Sequence, residues 1–179
     1  MKKIRFGVIG CGSIANEYHL PALRRVEGAQ LVWACDLIEE RAQKAKDDFG
    51  FEKYTLDYHD ILNDSSIDAV CIFTKIEMHA TLCIEAAAAG KHIFSQKPFA
   101  YNIEEGRKII RAVDEAGVKL TPSFMHSYMD GSIVARRIVE EGKMGEIRHI
   151  RMRNATKNPF DSAPGYGGCM MDIGCHGMD

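Results

Sequence analysis

The feature that most constrains this chain is a short, mostly apolar run, Ile4 to Ile9, that stops at Gly10-Cys11-Gly12-Ser13-Ile14-Ala15 and passes at once into a helix-like pattern. Such a run reads as a parallel strand buried on both faces. The six residues after it fit G-x-G-x-x-[GA]. Gly10 permits the tight turn, Gly12 lets a pyrophosphate approach the backbone, and small Ala15 lets helix and strand pack closely. The start of the helix, with Ser13 and Ile14, offers unpaired N–H groups to phosphate. A glycine-rich βα turn can also exist without a ligand, so its context decides.

Leu31 to Cys35 is a second strand and ends at Asp36, at the spacing of about 20 residues that ribose recognition requires. A carboxylate there accepts hydrogen bonds from the adenosine ribose hydroxyls and repels a 2′-phosphate. Leu37 and Ile38 follow with no arginine to receive that phosphate, and Arg41 is expected to face solvent. The pattern favours NAD over NADP.

The strand–helix rhythm continues. Ser13 to Val26 reads as a helix, with Ile14, Leu20, Leu23 and Val26 on one face and Pro21 as a possible kink. Glu39 to Phe49 is a charged helix closed by Gly50. Ile67 to Phe73 is a strand, Met78 to Ala89 an Ala-rich helix, His92 to Ser95 a strand, Ile103 to Ala116 a helix and Val118 to Phe124 an extended segment. The alternation predicts a doubly wound α/β domain over 1–124. From 125 to 179 the rhythm changes: Ile133 to Glu141 is helical, and Ile147 to Arg153 alternates apolar and charged residues like a half-exposed strand of another sheet. This part is expected to begin a second, α+β domain, incomplete at residue 179.

Composition excludes several classes. With 23 basic and 25 acidic residues the formal charge is −2, which lacks the basic excess of a dedicated nucleic-acid binder. No apolar run approaches the ~20 residues of a membrane span. The stretch before Cys11 is shorter than the roughly 7–15 residues of a signal-peptide core, so a cytoplasmic location is expected. The six cysteines form no C-x-x-C pair or small-domain disulfide spacing. Cys169, Cys175 and His176 cluster without a zinc spacing, and no metal is expected.

Two further groups carry chemistry. Lys97, in Ser95-Gln96-Lys97-Pro98, stands at the C-terminal end of a strand, the edge where open α/β sheets bind ligands. It can bring an ammonium to the nicotinamide and the substrate oxygen, and burial would lower its pKa. A surface lysine before a turn proline is the other reading. Asp172 and His176 are four apart and would share one helix face. An imidazole suits removing a proton from an alcohol, and a carboxylate can orient it. An incidental pair on a helix is again the alternative.

These pieces together resemble the glucose–fructose oxidoreductase / inositol dehydrogenase family (Gfo/Idh/MocA). The resemblance runs from Ile4 to Asp179. It rests on the glycine turn, Tyr18-His19-Leu20-Pro21-Ala22, His79 with Ala89-Gly90-Lys91-His92, Lys97-Pro98, Gly142-Lys143-Met144-Gly145-Glu146-Ile147, and Gly167 to His176. It implies an NAD(P)-dependent oxidoreductase acting on a sugar, polyol or derivative, and a homo-oligomer in a full-length form. Lys97, Asp172 and His176 would be the catalytic group. His176 would act as base, Asp172 would position substrate or histidine, and Lys97 would polarise the oxygen, with the Lys97-Pro98 bond often cis in the family. Thr74 and Gln96 would lie at the cofactor, and His126, Tyr128, Asn154 and Lys157 would approach substrate. Some relatives use NAD transiently to cleave glycosidic bonds, and a non-catalytic NAD-binding module is a further alternative.

Three departures stand out. Gln96 replaces a usual Glu and removes a charge expected to stabilise the Lys97 ammonium. Thr74-Lys75 replaces a common Thr-Pro. His126-Ser127 stands where inositol-type members tend to carry arginine, so inositol cannot simply be assumed as substrate.

Overall fold

The computed structural model describes residues 2–153. Six strands alternate with helices: β1 (Ile4–Ile9), β2 (Ala29–Cys35), β3 (Lys53–Thr55), β4 (Ala69–Ile72), β5 (His92–Ser95) and β6 (Leu120–Pro122). All pair in parallel, in the order β3-β2-β1-β4-β5-β6. The order runs outward from β1 in both directions, so a crevice opens where β1 and β4 part company. The register aligns the C-terminal ends: Ile9 pairs with Cys35 and Ile72, Cys35 with Thr55, Ile72 with Ser95, and Ser95 with Pro122. The residues just after those strands therefore lie along one edge.

Period-two alternation gives the sheet an apolar layer on each face. Ile9, Val32, Val70 and Ile72 join one cluster, with Leu82 and Ile109 from covering helices. Val8, Leu31, Ala34 and Cys71 join the other, with Ala15 and Leu20. The covering helices are α1 (Leu20–Leu23), α2 (Glu39–Phe49), α3 (His59–Asn63), α4 (His79–Ala88) and α5 (Ile103–Ala116). The chain divides into two compact units, Met1–Pro122 and Ser123–Asp179. The described part of the second carries a one-turn 3-10 segment, Met125–Tyr128, and α6 (Asp130–Glu140).

The sequence expectations need four corrections. The helix begins at Ser13 as expected but widens into a π-turn, Ala15–His19, that runs into the single turn of α1; it ends at Leu23, and Val26 lies outside it and exposed. Pro21 explains the widened turn: its ring clears the carbonyl four residues back, while Leu20 N–H bonds to Ala15 O, five back. β3 and α3 leave no signal in the sequence, because three strand residues and five helical ones are too few to show a period. α6 begins at Asp130, ahead of the expected Ile133. Residues 147–153 are not a strand. A strand persists only with a pairing neighbour, and none pairs with this segment among the described residues.

Candidate cofactor site

The glycine turn is held from three directions. Gly10 has φ +96°, and a Cβ there would come within 2.6 Å of the Phe73 carbonyl oxygen, so only glycine fits. Its N–H donates to Cys35 O at 2.8 Å. Cys11 N–H donates to Asp36 Oδ2 at 2.8 Å, tying the turn to the end of β2, and Ile38 N–H donates to Asp36 Oδ1 at 3.0 Å. Asn16 Nδ2 donates to Cys11 O at 2.6 Å and Gly12 O at 2.8 Å. Gly12 differs from Gly10: a Cβ built on it would meet nothing within 4 Å. Ser13 and Ile14 are exposed beside it.

Asp36 retains acceptor capacity, because a carboxylate has about four lone-pair sites and two are used here. Leu37, 89% exposed, and half-open Ile38 stand next to it. Cys11 is buried under the turn, its Sγ 3.5 Å from Cys35 O. Burial first, and the Asp36 charge second, push the Cys11 thiol up to about 12. Burial and neighbouring aspartates push Cys35 to about 12 as well. Both thiols are inert at neutral pH.

At the ends of β4 and β5 two histidines organise the edge. His79 is buried at the start of α4, with Nδ1 2.8 Å from Pro98 O and Nε2 3.2 Å from Thr74 O, so it spans the segments carrying Thr74 and Lys97. Burial holds its pKa below the ordinary value despite those carbonyls. The Lys97-Pro98 peptide bond is cis. Gln96 is buried, its Oε1 accepts the Lys97 backbone N–H at 2.7 Å, and its Nε2 lies 3.2 Å from His19 Nε2. The residue at 96 thus addresses His19 and the Lys97 backbone. The His19 ring stacks on Phe73 at 4.2 Å and meets the edge of Phe94 at 5.6 Å.

One edge therefore brings together Gly10, Gly12, Ser13, Ile14, Asp36, Thr74, Gln96 and Lys97. His126 and Tyr128 lie on the 3-10 turn of the second unit. Asn154, Lys157, Asp172 and His176 lie outside the described residues, as does the Cys169/Cys175 cluster. The structure adds Asn16, His19 and His79 to the residues that shape this edge. His19 and His79 did stand in the family segments quoted above, and Asn16 sits four residues after Gly12, within helical reach of its carbonyl.

A glycine turn after β1, a carboxylate after β2 and a switch point between β1 and β4 define a dinucleotide-binding domain of the Rossmann class. Residues 4–124 match the GFO_IDH_MocA family model, described as an oxidoreductase family with an NAD-binding Rossmann fold, and residues 133–179 match the GFO/IDH/MocA C-terminal domain. The chain belongs to this family, and its first unit is an NAD-binding Rossmann domain. It is 30% identical over 165 residues to inositol 2-dehydrogenase of Salmonella typhimurium, covering 90% of this chain and 49% of that one. Among solved structures it resembles a 3-ketoreductase from Actinomadura kijaniata in complex with NADP and TDP-benzene, at 28% identity and TM-score 0.75, over 82% of this chain and 45% of that one. It also resembles the WlbA dehydrogenase from Bordetella pertussis in complex with NADH and UDP-GlcNAcA, at 33% identity and TM-score 0.73, over 80% and 44%. The chain spans about half the length of the curated relatives it matches. Among the described residues no helix is long and apolar enough to cross a membrane.

Proposed function

We propose that this chain belongs to an NAD-dependent dehydrogenase that moves a hydride between the nicotinamide and a secondary hydroxyl of a sugar or polyol. The observation that carries the cofactor half is the contrast at the turn: Gly10 is locked by the Phe73 carbonyl just after β4, while the space over Gly12 is open beside a tethered Asp36 with spare acceptor sites. Those residues fit a dinucleotide. Gly12, Ser13 and Ile14 hold the pyrophosphate, and Asn16 occupies two carbonyl oxygens that would otherwise repel it. Asp36 takes the ribose hydroxyls, and the absence of an arginine at 37 and 38 favours NAD over NADP. Bound NAD would supply the hydride acceptor.

The substrate half rests on the family and on position. Lys97 stands at the edge beyond β5 and binds and polarises the substrate oxygen; His176 takes the hydroxyl proton and Asp172 positions substrate or imidazole. The relatives' names point to inositols and nucleotide-linked sugars as the classes to try. The test follows reduced nicotinamide with NAD and myo-inositol, scyllo-inositol or a nucleotide-linked sugar, in this chain and in any longer form that carries it. Turnover that drops at least about a hundredfold in Lys97→Ala supports the reading. Turnover unchanged by that substitution removes Lys97 from the mechanism, and binding of NAD with no turnover of any polyol favours a non-catalytic module.

A further inference from the structure

The hydrogen bonds of Gln96 assign the protonation of His19. The Lys97 N–H can only meet the amide oxygen, so the 2.7 Å contact fixes Oε1 and leaves the NH2 group facing His19 Nε2 at 3.2 Å. An NH2 group only donates. His19 Nε2 must therefore present its lone pair, which puts the ring proton on Nδ1. An imidazolium would set N–H against N–H. The ring is packed against apolar Phe73 and Phe94, and burial alone holds its pKa below the ordinary value. Lys97, next to Gln96, is the charged group adjoining the pair in sequence.

We propose that Gln96 and His19 are a neutral positioning pair: Gln96 holds His19 as the Nδ1–H tautomer, and together they clamp the turn that carries the dinucleotide loop to the Lys97 end of β5. The path is continuous. Asn16 and His19 share one π-turn; Asn16 grips the Cys11 and Gly12 carbonyls, and His19 meets Gln96, which grips the Lys97 backbone. A shift of the glycine loop is thus felt at Lys97. A carboxylate at 96 would reverse the polarity, accept a hydrogen bond from an Nε2–H that stays on the ring, and stabilise the imidazolium. The tautomer stands on geometry alone, whereas the coupling to Lys97 rests on the proposed reading of NAD binding.

The test uses the chain with ¹⁵N-labelled histidine and long-range ¹H–¹⁵N correlation at neutral pH. The expected His19 pattern is a protonated Nδ1 and a lone-pair Nε2; the opposite tautomer, or an imidazolium, overturns the pair. Gln96→Glu keeps the shape and is expected to switch the ring to Nε2–H and move its titration midpoint upward. An unchanged tautomer and midpoint contradict the assignment even if Gln96→Ala fails to fold. With ADP as the probe, which reaches the glycine turn but carries no nicotinamide to touch Lys97, the His19 ring and Lys97 amide signals are expected to move with one midpoint. In Gln96→Ala the Lys97 response is expected to be lost while the Gly12 response remains; a Lys97 response that persists overturns the coupling. If NAD moves no signal in a folded sample, the dinucleotide reading fails and takes the coupling with it, while the tautomer result is judged on its own.

Discussion

At the residue scale, two glycines of one motif have different work. Gly10 is bound by the fold: Gly10→Ala forces a Cβ onto the Phe73 carbonyl at a positive φ. That substitution is expected to cost about 2–4 kcal/mol of stability, read as a fall in the urea midpoint. Gly12→Ala meets nothing, so stability is expected to stay within about 0.5 kcal/mol. Its NAD affinity is expected to fall at least about tenfold, or ~1.4 kcal/mol. Asp36→Ala removes a charged acceptor and is expected to weaken NAD by about tenfold or more while narrowing the margin over NADP. A calorimetric comparison of the two cofactors reads both. Gly10 was legible in the sequence because the turn after β1 demands its backbone geometry, whereas Gly12 and Asp36 stood out through the spacing that a bound dinucleotide would require. The Gln96–His19 contact was not, since its members are 77 positions apart and meet only once β5 and the π-turn are in register.

Among the elements, those with strong local signals emerged closest to expectation. α5 shows why: Asn102 accepts the Glu105 N–H at 2.9 Å, Glu105 reaches back to the Tyr101 N–H at 3.3 Å, and Gly117 closes the helix at φ +64°. Asn102→Ala is expected to cost about 1 kcal/mol, measured by thermal or urea unfolding. Where the signal was weak or depended on a partner, the reading failed. The π-turn before Pro21 looks like ordinary helix in periodicity. The alternation at 147–153 promised a strand, yet alternation encodes only a face, and a neighbouring strand must supply the ladder.

For the whole molecule, the titrating groups set a direction for pH dependence. Burial lowers the pKa of His19 and His79 below the ordinary 6.5. Between that value and their folded-state values the unfolded chain binds more protons, so stability falls as pH drops below about 6.5. Asp64, bonded to Ser66 and Trp33, and Asp68, bonded to the Arg5 N–H, are held below the ordinary 3.8. Their contribution is lost at still lower pH. The urea midpoint is therefore expected to fall between about pH 7.5 and 5.5, and to fall less in a folded His79→Asn variant; equal slopes would remove His79 from the account. The parallel, doubly wound sheet followed from the strand–helix alternation, because a right-handed crossover between parallel strands leaves few topologies; the strand order came from the structure. The expected catalytic residues Asp172 and His176 lie outside the described residues. The most direct measurement is a calorimetric titration of the chain with NAD and, separately, NADP. Micromolar NAD binding with much weaker NADP binding is the predicted result; a folded, monodisperse sample that binds neither would contradict the cofactor site on which the rest is built.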